Sequence, residues 1–78
     1  MRRSEVSKGM TLYAFTSSWG EFLINVKEVI PSKPSRVRGV IIKVLKDGDG
    51  FRAGRLSVGR EIEVGIINVR QPMAQELE

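Results

Sequence analysis

Apolar positions along the chain fall into four stretches of strand length, separated by clusters of Gly, Pro, Ser and Asp. The breaks are Ser17-Ser18-Trp19-Gly20, Pro31-Ser32-Lys33-Pro34-Ser35, Asp47-Gly48-Asp49-Gly50, and Gly54 with Gly59. In the first stretch Met10, Leu12 and Ala14 alternate with Thr11, Tyr13 and Phe15, which predicts a strand. In the third, Arg36 to Lys46, keeping Val37 inward together with Val40, Ile42 and Val44 requires a change of parity at Gly39, as a β-bulge supplies. The fourth, Glu61 to Arg70, repeats the device: Ile62 and Val64 share one parity, Ile67 and Val69 the other, with Gly65 between. Two long strands each broken by a glycine favour a closed or half-closed barrel over a flat sheet.

The second stretch, Glu21 to Ile30, fits two patterns. Ser18 and Glu21 form a capping box, Phe22, Leu23, Val26, Val29 and Ile30 recur at helical spacing, and Pro31 stops the run. As a strand, Phe22, Ile24 and Val26 alternate with Glu21, Asn25 and Lys27, and several residues are β-branched. The expected architecture is therefore all-β, with four to five strands in a small barrel, or alternatively α+β, a β-α-β-β arrangement with a helix at about 19–30. The domain is placed at residues 10–70, between a polar N-terminal tail at 1–9 and a C-terminal tail at 71–78.

Composition narrows the chemistry. Zero Cys and zero His remove thiolate nucleophiles, disulfides, Cys-ligated metals and the commonest general base, so an enzyme is not expected, nor a metal, cofactor or small-molecule substrate. Asp47-Gly48-Asp49-Gly50 fails as a calcium loop, because counting from Asp47 puts Phe51 at position 5, Arg52 at 6 and Val58 at 12. Gly48, Gly50 and Gly54 have the wrong spacing for a phosphate-cradling loop, and no Gly-Lys-Ser/Thr follows. Glu61 and Glu63 share a strand face opposite Ile62 and Val64 and read as solvated side chains. No leader is visible, since Ser4, Glu5, Ser7 and Lys8 stand where an apolar core would be needed. Apolar runs such as Val40 to Ile42 are far short of the roughly 20 residues that span a bilayer, so a cytoplasmic, membrane-free protein is expected.

Charge is the most informative feature. The chain is +4 overall, but residues 33–60 alone are +6, from Lys33, Arg36, Arg38, Lys43, Lys46, Arg52, Arg55 and Arg60 against Asp47 and Asp49. Arginine dominates this segment, and its planar fork suits bidentate contact with phosphate. The candidate nucleic-acid contacts are Arg36, Arg38, Lys43, Lys46, Arg52 and Arg55, with Trp19 and Phe51 at turns as stacking or wedging aromatics. The rival expectation is a protein-interaction or self-assembly module, of the kind a small phage or mobile element encodes. In it Ile41 and Leu45, alternating with Lys43 on the outer face, form the interface.

Two resemblances add to this. Lys8-Gly9-Met10-Thr11-Leu12-Tyr13, opening strands of this length and spacing, resembles the start of a small SH3-like barrel of the KOW or Tudor type, over about 60 residues. That resemblance implies a binding module for nucleic acid, ribosomal or polymerase components, or peptides, without choosing among them. Locally, Gly39-Val40-Ile41-Ile42-Lys43-Val44 through Gly54-Arg55-Leu56-Ser57-Val58-Gly59-Arg60-Glu61-Ile62 is similar to the middle of a PDZ domain. Too little chain follows to complete a carboxylate-binding groove.

Overall fold

The computed structural model describes residues 2–16, 19–30, 32, 35–47 and 57–77. A 3-10 turn at Arg3–Glu5 precedes β1 (Thr11–Thr16), β2 (Gly20–Val29), β3 (Arg36–Asp47) and β4 (Glu61–Gly65). A second 3-10 turn (Ile66–Asn68), β5 (Val69–Arg70) and a short helix, α1 (Ala74–Leu77), complete the chain. The five strands form one antiparallel sheet in the order β4-β3-β2-β1-β5. The protein is an all-β domain, and the return of β5 to β1 is compatible with a small barrel. No helix among the described residues is long and apolar enough to cross a membrane.

The ambiguous second stretch is strand. Phe22, Ile24 and Val26 alternate inward against Leu12 and Ala14 of β1, and all five are essentially inaccessible to water. The turn that precedes it needs a left-handed residue, supplied by Gly20 at φ +105°, while Trp19 N–H donates to Thr16 Oγ1 at 2.9 Å. Paired on one side with β1 and on the other with β3, this stretch satisfies its backbone in two ladders, which outweighs the capping-box signal.

The parity expected of β3 is corrected. Val37, Gly39 and Ile41 all face inward, so alternation passes through Gly39 unbroken, and Val40 is only half-buried. A Cβ on Gly39 would lie 2.8 Å from the Asn25 carbonyl oxygen and 3.2 Å from Ile24 Cβ. Close packing of two backbones, not a bulge on its own strand, is therefore what this glycine serves. The breaks fall further on: Leu23 pairs with Lys43 but Ile24 with Ile41, which leaves Ile42 as an extra residue, and Leu45 is skipped likewise between Val44 and Lys46. A slip on β2 leaves out Lys27, opposite the step from Arg38 to Gly39. Ile42 is consequently turned out, 42% exposed, while Val44 packs back onto the core.

In the fourth stretch the chain does break after Gly65, but as a 3-10 turn that separates two strands instead of bending one. Ile66, not Ile67, is the residue buried there, and Ile66 N–H donates to the Ser35 carbonyl at 2.8 Å. Ten consecutive residues, 61–70, thus supply both outer strands of the sheet. The segments flanking 10–70 also pack. Val6 is buried in the core, and Gly9, at φ +92°, donates to the Val26 carbonyl while Val26 N–H donates to that of Met10. Along the other flank, α1 lies near the outer face, where Lys43 Nζ donates to the Glu76 carbonyl at 3.2 Å.

Candidate nucleic-acid interface

Arg36 and Arg38 leave β3 on the outward side, as expected, but three carboxylates from neighbouring strands meet them. Arg36 Nε donates to Glu63 Oε1 at 2.6 Å, and Arg38 contacts both Glu28 on β2 and Glu61 on β4. Glu61 and Glu63 are therefore the partners of these arginines. All five side chains are a third or more exposed, so each pair is worth about 0–1 kcal/mol and a phosphate could exchange with it, but the local charge is already offset.

The remaining candidates separate into two places. Lys43 turns to the outer face beneath α1. Lys46, exposed near the end of β3, stands across from Glu21 of β2, and Trp19 in the adjoining turn packs part of its ring on the core. The Arg60 guanidinium lies over that ring, 4.8 Å from its centroid. One face of Trp19 is thus taken up by Arg60, which leaves it poorly placed to stack on a base and well placed to hold an arginine. A guanidinium over an indole ring is held by the ring's negative face, which fixes where Arg60 carries its charge. Arg60 belongs to the basic segment but carries no motif, and only the fold brings it to Trp19. Phe51, Arg52 and Arg55 lie outside the described residues. Among the described residues, no group of three or more acidic, His or Cys side chains could hold a metal ion.

The interface expected at Ile41 and Leu45 is overturned at its first member. Ile41 is fully buried in the core because the bulge comes after it, and Leu45, skipped by the ladder, is half-buried.

A second polar constellation sits on the outer face of β1. Tyr13 is buried, its hydroxyl donates to Glu21 Oε1 at 2.5 Å, and the Arg70 guanidinium lies 3.8 Å above its ring. Arg70 in turn forks onto Glu76, at 3.0 and 2.8 Å, and Met73 N–H donates to Glu76 Oε1 at 2.7 Å. The hydrogen bonds from Arg70 and then Met73 hold the Glu76 carboxyl below its usual range, so the tie is in place above that range and is lost as pH falls through the lowered value. Burial, followed by the hydrogen bond to Glu21, pushes Tyr13 up to about 12. It is the chain's one tyrosine, so an absorbance titration should give a single phenolate midpoint near 12, two units above an ordinary tyrosine. Because the folded value is the raised one, this contribution to stability is whole below about pH 10 and drains away between about 10 and 12. A midpoint near 10 in folded protein would show Tyr13 to be solvated.

Compared with known protein families, with curated proteins and with solved structures, the chain matches none.

Proposed function

We propose that the protein is a non-enzymatic binding module that contacts the phosphates of RNA or DNA from the end of the sheet that carries Trp19, Lys46 and Arg60. The observation that carries this reading is the Arg60 guanidinium over Trp19, in the turn next to the strand end that bears the exposed Lys46, with both cations in the segment that holds the chain's excess positive charge. Arg60 and Lys46 supply the phosphate contacts, and Trp19 holds Arg60. Arg36 and Arg38 take part only by exchanging their carboxylates for phosphate, while Arg52 and Arg55 belong to the connection that leaves Asp47 and returns at Ser57. Readout of base identity is not part of the proposal, so affinity should be weakly dependent on sequence and strongly dependent on salt.

The test is a titration of fluorescent single-stranded and duplex oligonucleotides at 50 and 200 mM salt. Wild type should bind and weaken steeply between the two, and Arg60→Ala should lower affinity for every sequence alike while reducing the salt slope by about 1. Absence of binding at low salt, or binding untouched by both Arg60→Ala and Lys46→Ala, would remove the reading. Protein association is the second reading, favoured by Phe15 and Ile67, which stand 49% and 89% exposed beside β5.

A further inference from the structure

Leu23 is 2% exposed yet lies outside the core cluster, on the opposite side of the sheet from Phe22 and Ile24. Its cross-strand partners are Tyr13 on β1 and Lys43 on β3. Tyr13 lies beneath Arg70, Arg70 forks onto Glu76, and Lys43 reaches the Glu76 carbonyl, so the C-terminal segment passes over Leu23. An apolar floor of Tyr13 and Leu23, with a cation at either side, is thus occupied by a short stretch of chain that presents one carboxylate.

That stretch is a poor occupant. Its own apolar side chains, Met73 and Leu77, remain 50% and 56% exposed, and α1 has four residues, too few for a helix to hold itself together. Beside the floor a cavity of about 220 Å³, lined by Tyr13, Phe15, Ile67, Asn68, Val69 and Arg70, runs along β5 and is not filled by the segment. A ligand with the same carboxylate and a bulkier apolar neighbour would make the Arg70 contact and also cover Phe15 and Ile67. The segment competes through proximity, since a short tether gives it an effective concentration in the millimolar range.

We propose that this face is a docking site for a short acidic peptide of a partner protein, a glutamate flanked by apolar residues, and that the chain's own residues 72–77 occupy it as an internal substitute. Arg70 receives the incoming carboxylate, Tyr13 and Leu23 form the floor, and Phe15 and Ile67 take the flanking apolar side chains. The site is separate from the Trp19, Lys46 and Arg60 end and does not rest on nucleic-acid binding.

The probe is a fluorescein-labelled synthetic peptide with the sequence of residues 71–78, and the readout is fluorescence anisotropy with the full-length chain. Wild type should bind it weakly, because the bound form is available only to the fraction of molecules whose own segment has lifted. Glu76→Ala should bind it at least tenfold more tightly, and Glu76→Ala combined with Arg70→Ala should lose that gain. A peptide with glutamine in place of the glutamate that corresponds to Glu76 should not show it either. Far-ultraviolet dichroism and Trp19 fluorescence confirm folding, and Glu76→Gln replaces Glu76→Ala if the latter fails to fold. Equal affinity of wild type and variant, or equal affinity for the glutamine peptide, would overturn the proposal. So would a concentration-dependent doubling of wild-type mass, which would make a second copy's segment the occupant. Oligonucleotide binding should be unchanged in Glu76→Ala, so the two sites fail or stand independently.

Discussion

Ile41→Lys is expected to unfold the domain, whereas Ile42→Lys should leave it folded. The two side chains are neighbours in sequence, but Ile41 is fully buried and Ile42 is 42% exposed. Removing Ile41 forfeits about 1.5–3 kcal/mol of apolar burial, and the ammonium that replaces it has no carboxylate among its core neighbours, which are Leu12, Phe22, Ile24 and other apolar groups. A chain of this length has a total stability of about 4–12 kcal/mol, which a buried unpaired charge and the lost packing together consume. Ile42 is the extra residue of a bulge, so a lysine there reaches water and should change stability by no more than about 0.5 kcal/mol. Dichroism and Trp19 fluorescence at 25 °C distinguish the outcomes. A folded Ile41→Lys protein paired with an unfolded Ile42→Lys protein would restore the opposite parity for β3.

Gly39 carries the second large effect. β3 is held between β2 and β4 at this point, Gly39 opposing Val26 on one side and Ile62 on the other, so its backbone has nowhere to retreat. The nearest obstacle to a Cβ is a main-chain oxygen, that of Asn25, which cannot rotate away as a side chain would. Gly39→Ala should therefore destabilise by about 1–3 kcal/mol, and Gly39→Val by more, despite the general preference of strands for β-branched residues. With a urea slope of about 1–2 kcal/mol/M for a chain this small, the midpoint of the alanine variant should drop by about 0.5–3 M. An alanine variant as stable as wild type would mean that β2 and β3 are not in close contact there.

How far the sequence discloses this fold depends on which signal each element carries. Strand β1 is legible because period-two alternation in Leu12 and Ala14 survives into the structure unchanged, whereas in β2 the alternation of Phe22, Ile24 and Val26 competes with a helical spacing that leaves the sequence open to either reading. The interruption at Gly65 is legible too, though not that it sends the chain to the far edge of the sheet. Strand β3 misleads, since a glycine between two parities is the natural place to put a bulge, while the bulges at Ile42 and Leu45 occupy residues of high strand propensity with no local mark. At the candidate site the concentration of positive charge is plain from composition, but its cancellation around Arg36 and Arg38 depends on strands 10 to 27 residues away. The Tyr13, Arg70 and Glu76 constellation is hidden for the same reason. Each of its members is unremarkable until β5 is laid against β1 and the chain turns back over Leu23.

The placement of residues 61–70 has a consequence for the order in which the protein can be made. During synthesis β1, β2 and β3 are complete while β1 and β3 each lack a neighbour on their outer side, and both vacancies are filled by the last pair of strands to emerge. Until then the nascent chain presents two open ladders, the kind of surface that recruits another copy's strand. One ten-residue stretch pairs with both, along Arg36–Val40 of β3 and Tyr13 and Ala14 of β1, so a chain truncated before Glu61 leaves both ladders unpaired there and one that extends past Arg70 has them paired.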